Sequence, residues 1–458
     1  MNRHTVVTLG APRRGILPFA LALVVVLPAL APAGVILDPA RIHEHTLANG
    51  LRIIVKEEHG WDVVALGAYI RAGSLYDPPD MAGLGHFTEH MLFRTGETDS
   101  EPVEIVRLVE GRGGQINAET TRDFTVVNIV TAAEVLPEIL PTLAHTLLES
   151  KFDPALVREE RKTIGQEIAE RQGRAFEVLT EAVWAAAYPN HPYGKSIGGN
   201  ADSLARIDAD SLKAYHARFY VPNNISLVVV GDVEASAFFS QVQQAFGRSP
   251  QKPVDWKPPA PEPPLGTPRT RVETANVTGT LVGLAFRGPG ISRKRDVCAM
   301  DLLYTLLGDG RKARLETEVR AKDLISAFNV DFITHLDDGL VVVTATVAPD
   351  KELDARAALM AQFARIAKEG VTEEELAAAK RQLRNSYAFT NEGYSDQVGS
   401  MGFYQMIDSY QFAVDYIDAV NAVTPDDLKS VAARYFDPQK AVLVVFRPPA
   451  PHKPGGEV

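Results

Sequence analysis

His86 and His90 stand four residues apart, with Glu89 beside the second, in Gly83-Leu84-Gly85-His86-Phe87-Thr88-Glu89-His90-Met91-Leu92-Phe93. On a helix, positions i and i+4 share a face, so both imidazoles can reach one ion. Glu89, at i+3 from His86, lies on the rim of that face and is placed to touch a water bound to the ion. Two imidazoles and a carboxylate at this spacing are the groups of a metal-dependent hydrolase. The competing reading makes His86 a turn cap and Glu89 a solvated face. Phe87, Met91, Leu92 and Phe93 speak against it, because they bury the helix, and a buried His-Glu-His cluster needs a partner for its charge.

A catalytic metal needs a third protein ligand. Cys298 is the only cysteine, so no disulfide forms within the chain and the ligand must be His, Asp or Glu. The run Glu159-Glu160-Arg161-Lys162-Thr163-Ile164-Gly165-Gln166-Glu167-Ile168 offers two candidates. Glu160 and Glu167 are seven apart, two helical turns, and share a face. Spacing alone does not choose between them, and a salt-bridged surface face would account for both.

The elements that must position these groups follow from pattern. His45 to Glu57 carries apolar runs on either side of Asn49-Gly50 and predicts a hairpin. Val63 to Arg71 reads as a strand leading into the His86 helix, and Pro102 to Glu110 as a helix. A strand opening at Gly113-Gly114-Gln115-Ile116-Asn117-Ala118 is expected to run past Asp123 to Thr131. Val135 to Ser150 is an amphipathic helix. Pro154 starts a long helical segment reaching about Ala187, interrupted near Gly173. Asp210 to Tyr220 is helical, and Ile225 to Val230 is a buried strand.

Residues 250–268 hold eight prolines and read as an extended linker between halves of similar length, 34–249 and 269–458. The halves are also alike in sequence. DSLKAYHARFYVPNNISLVVV (210–230) aligns without a gap on DDLKSVAARYFDPQKAVLVVF (426–446), at a constant offset of 216, with nine identities. This indicates a duplication. The second copy has no His-x-x-Glu-His, so chemistry is expected in one half only.

Residues 1–33 read as an export signal: Arg3, Arg13 and Arg14 form a basic start, Gly15 to Leu30 is almost wholly apolar, and Ala29-Leu30-Ala31 and Ala31-Pro32-Ala33 suit cleavage. The alternative is a retained membrane anchor. Cleavage removes three arginines and no acid, taking the net charge from −11 to −14. Such a balance disfavours nucleic acid or an anionic membrane surface as the main partner. The expectation is a soluble exported protein without a stable membrane span, periplasmic if its source is a Gram-negative bacterium.

His-x-x-Glu-His is the inverted form of the zinc motif His-Glu-x-x-His. With AGSLYDPPDMAGLGHFTEHMLFRTGET, GGQINAETTRDFT, EERKTIGQEI, HPYGKSIGG and YVPNNISLVVVGDV, it makes residues 42–447 resemble the M16 (pitrilysin) metallopeptidases. The likeness is strongest to the shorter M16B type related to the mitochondrial processing peptidase. It implies an α+β fold of two homologous α/β-sandwich domains, each a mainly antiparallel sheet packed with helices, the LuxS/MPP-like metallohydrolase fold. The family places 76 residues between its second histidine and its zinc glutamate, as residues 91–166 do here. The resemblance therefore implies one Zn²⁺ on His86, His90 and Glu167, with Glu160 supporting the ligands from behind. It also implies Glu89 as general base toward water in peptide hydrolysis, and Asn117-Ala118 as the start of an edge strand that pairs with a peptide substrate.

One departure stands out. Active relatives use an Arg and a Tyr from a C-terminal-type half to contact substrate. Arg320 occupies the arginine place, but the tyrosine place falls on Ser326 or Ala327, and Phe328 nearby has no hydroxyl. The family's usual three glycines are altered to Gly308-Asp309-Gly310. The implied partner is a second subunit, a zinc-free M16 paralogue supplying the missing pair in a heterodimer. The alternative functions are a non-catalytic assembly or scaffold subunit that retains zinc, and a zinc hydrolase of a non-peptide substrate.

Overall fold

The computed structural model describes residues 36–94, 104–254 and 259–449; the segment expected to be an export signal, the start of the 102–110 helix and part of the proline-rich stretch lie outside them. Six strands form the first sheet: β1 (Ile42–Thr46), β2 (Arg52–Glu57), β3 (Val63–Ile70), β4 (Gln115–Thr120), β5 (Thr125–Ala132) and β6 (Ile225–Gly231), in the order β1-β2-β6-β3-β5-β4. The second sheet holds β7 (Arg269–Thr274), β8 (Thr280–Arg287), β9 (Ala327–Phe332), β10 (Leu340–Val347) and β11 (Val442–Arg447), in the order β7-β11-β8-β10-β9. Without β1, the first order is the second one repeated. β6 pairs parallel with β2 and antiparallel with β3, and β11 does the same with β7 and β8. The repeat seen in sequence is thus a repeat of topology. It extends to the helices Ala209–Phe219 and Pro425–Tyr435, whose ends also differ by 216.

Each half lends a helix to the other half's sheet. Leu179, Val183 and Trp184, on the helix Ala175–Ala187, pack with Leu281, Ala285, Val342 and Val444 of the second sheet. Conversely, Val398 and Met401, on the helix Tyr394–Ile407, pack with Ile54, Ala65, Tyr69 and Val228 of the first. Two glycines 216 residues apart admit these helices. A Cβ on Gly67 would fall 2.7 Å from Val398, and one on Gly283 would fall 2.6 Å from Val183. Neither distance is tolerable beside a close-packed helix.

Two expectations change. The strand predicted from Gly113 through Asp123 to Thr131 is a hairpin, β4 turning into β5. The turn has no Gly or Pro to announce it; the Thr121 hydroxyl accepts from the backbone N–H of Asp123 (3.2 Å) and Phe124 (3.1 Å) and closes it instead. The proline-rich stretch forms no helix or strand over its described residues, but it is docked. Glu262 accepts from the backbone of Asn190 and His191, both at 2.8 Å, and Leu265 is buried. Among the described residues no helix is long and apolar enough to cross a membrane.

Candidate metal centre

The motif helix spans Leu84–Leu92. Gly83 precedes it at φ +94°, where a side chain would also strike the carbonyl oxygen of Gly198 at 2.8 Å. The carboxylate of Asp77 accepts from the N–H of Gly83 (2.7 Å) and of Gly85 (2.8 Å), satisfying donors that the first helical turn leaves open. Leu84, Phe87, Met91 and Leu92 fasten one face to the core. His86 and His90 occupy the other, with ring centroids 4.6 Å apart.

Glu167 comes to them from the helix Pro154–Gln172. Its Oε2 lies 3.7 Å from His86 Nε2 and 3.6 Å from His90 Nε2. One donor atom from each of the three residues falls within 4.8 Å of the others, the only such cluster among the described residues. These separations suit an ion bonded at about 2.0–2.2 Å to imidazole nitrogen and carboxylate oxygen. Glu160 occupies a different place. Its Oε1 lies 2.8 Å from His90 Nδ1, and its Oε2 accepts from Arg94 at 2.9 Å. Glu160 therefore directs Nε2 of His90 toward Glu167 and His86. Of the two carboxylates that spacing left open, Glu167 faces the imidazole pair and Glu160 stands behind it.

The surroundings act on the two imidazoles in opposite directions. Burial, with the neighbouring His90, pushes His86 down to about 4, so it is neutral near neutral pH. Burial also acts against charge on His90, but the Glu160 contact and the nearby carboxylates outweigh it and raise this histidine. Glu160 is lowered, since its contacts with His90 and Arg94 overcome burial. Glu89 is not one of the clustered donors. It is buried, accepts from the Thr120 hydroxyl at 2.6 Å, and is raised by burial against the pull of that bond.

A cleft of about 1030 Å³ opens onto these groups. His86, Glu89, Glu167 and Ala118 line one side, and Ala327, Phe328 and Asn329 of β9 line another. Both β4 and β9 are sheet edges, so each presents unpaired backbone groups. Ala118 lines the cleft, and Asn117, which is exposed, shares with Ala118, His90 and Glu160 a smaller depression of about 280 Å³. Asp123 ties the cleft to the second half: it bonds the hydroxyl of Tyr193 and lies 2.8 Å from His335 Nδ1. Arg320 does not join the site. It is outside the cleft lining, half-exposed, and held on both oxygens of Glu316 at 2.8 Å.

Pattern reading missed Thr120, Arg94 and Arg171. Both arginines carry a signal in retrospect, since each follows a histidine or glutamate of the centre by one helical turn.

Residues 52–201 match the family model described as insulinase (peptidase family M16), and residues 206–383 match the one described as the peptidase M16 inactive domain. The chain belongs to peptidase family M16. It is of the M16B-like type. An uncharacterized zinc protease of Mycobacterium bovis is 26% identical over 419 residues, covering 89% of this chain and 93% of the relative. A probable mitochondrial-processing peptidase subunit beta of Arabidopsis thaliana is 26% identical over 434 residues, covering 91% and 81%. Among solved structures, a protease from Helicobacter pylori shares the fold, with a TM-score of 0.83 at 24% identity, covering 89% of this chain and 99% of that one. The α+β architecture of two helix-packed sheets is therefore the M16 fold.

Proposed function

We propose that this chain is an exported zinc-dependent endopeptidase that cleaves unfolded peptides, with His86, His90 and Glu167 as the metal ligands and Glu89 as the general base. The observation that carries this reading is the position of Glu89: a buried carboxylate beside the donor cluster, outside it, and open to the cleft. Zinc, when bound, supplies a Lewis acid and lowers the pKa of the water it holds toward about 7. Glu89 takes a proton from water and returns it to the leaving amine. Its raised proton affinity suits that shuttle, and the Thr120 hydroxyl fixes its orientation. Glu160 keeps His90 in one tautomer with Nε2 toward the ligand cluster. The open edge of β4, with Asn117 and Ala118, aligns an extended backbone by strand addition.

The grip on substrate is incomplete in one chain. Arg320 is engaged by Glu316, and no tyrosine stands at Ser326 or Ala327. The reading therefore includes a dimer in which a zinc-free paralogue supplies an Arg/Tyr pair. Export rests on residues 1–33, whose composition supports a periplasmic address. Hydrolysis of a quenched unfolded peptide is the test. It should be weak with the purified chain, rise at least about tenfold when the paralogue is added, and disappear with a chelator. Full activity of the chain alone would remove the partner from this account, and activity indifferent to chelation would remove the metal.

A further inference from the structure

The two oxygens of Glu167 are divided between different tasks. Oε2 faces His86 and His90, whereas Oε1 accepts from Arg171 Nη2 at 2.7 Å. Arg171 lies one turn further along the same helix, and its guanidinium is held from the far side as well. Nη1 donates to Ser196 Oγ at 3.4 Å and lies 3.7 Å from Glu181 Oε1, and Ser196 itself donates to Glu181 at 2.6 Å. Gly198 closes over the group; a Cβ there would fall 2.7 Å from Nη1. The planar fork is thus fixed by the helix Ala175–Ala187 and by the 195–199 loop as well as by Glu167 itself.

We infer that Arg171 is a positioning residue that restricts Glu167 to one metal-facing oxygen. The inference rests on the metal reading above and adds a consequence to it. A carboxylate free to rotate can present both oxygens to an ion, expanding four ligands to five and using the position that water or substrate needs. With Oε1 committed to a charge-assisted hydrogen bond, that second oxygen is withheld. The open position at the centre is then secured by a residue that never touches the ion.

Cobalt substitution reads ligand number directly. Metal-free full-length protein is loaded with one equivalent of Co²⁺, and visible spectra are compared for wild type, Arg171→Met and Arg171→Lys. Arg171→Met should lose visible absorbance relative to wild type, because a centre expanded from four to five ligands departs from the tetrahedral geometry that makes the cobalt bands intense. Arg171→Lys, which keeps a charged donor within one turn of Glu167, should stay close to wild type. Should Arg171→Met fail to fold, Arg171→Gln carries the same expectation, because a neutral amide binds Oε1 more weakly. Superposable spectra for wild type and the neutral variant would overturn the inference while leaving the metal reading intact. If wild type binds no more Co²⁺ than Glu167→Ala, the metal reading fails and takes this inference with it.

Discussion

Glu89→Gln is expected to lower peptide hydrolysis by about 10²- to 10⁴-fold, the range for loss of a general acid–base group, with zinc content unchanged. The amide keeps the shape of the side chain, and its oxygen can still accept from Thr120, so the helix Leu84–Leu92 should keep its seat. What it cannot do is take up a proton. Glu89 contributes no atom to the donor cluster of His86, His90 and Glu167, which is why metal should survive the change. Paired measurements of kcat/KM and zinc per chain check both halves of the expectation. Retained turnover would exclude Glu89 as the base, and lost zinc would make it a ligand.

The second large effect separates the two carboxylates of the helix Pro154–Gln172. Glu167→Ala leaves only two imidazoles facing the centre and should abolish stoichiometric zinc binding, and with it all hydrolysis. Glu160→Ala keeps all three donor atoms but frees His90 Nδ1 and deprives Arg94 of its 2.9 Å partner. Its expected cost is about 10- to 100-fold in zinc affinity, as for other groups that orient a ligand from behind. Competition against a chromogenic chelator measures both. Equal losses, or a greater loss at Glu160, would reverse the assignment.

Much of this centre was legible in the sequence, and the limits were physical. Histidines four apart on an apolar helix announce a shared face, so His86 and His90 could be paired before any fold was known. The choice between Glu160 and Glu167 could not be made that way, because seven residues return a helix to the same face. It takes the second helix's approach to show that one carboxylate meets Nε2 of both rings and the other meets Nδ1 of His90. Thr120 was hidden for a similar reason. Its role depends on where the β4–β5 hairpin turns, and that turn is closed by a threonine hydroxyl. The duplication was readable from a gapless offset, yet the exchange of helices between halves was not. Only the packing of Gly67 against Val398 and of Gly283 against Val183 makes it visible.

Anomalous diffraction at the zinc edge, on crystals of the zinc-loaded chain, locates the ion and its ligands together. The predicted result is a single peak about 2.0–2.2 Å from His86 Nε2, His90 Nε2 and Glu167 Oε2, with Glu160 and Glu89 outside bonding distance. A peak bonded to Glu160, or none between the two histidines, would contradict it.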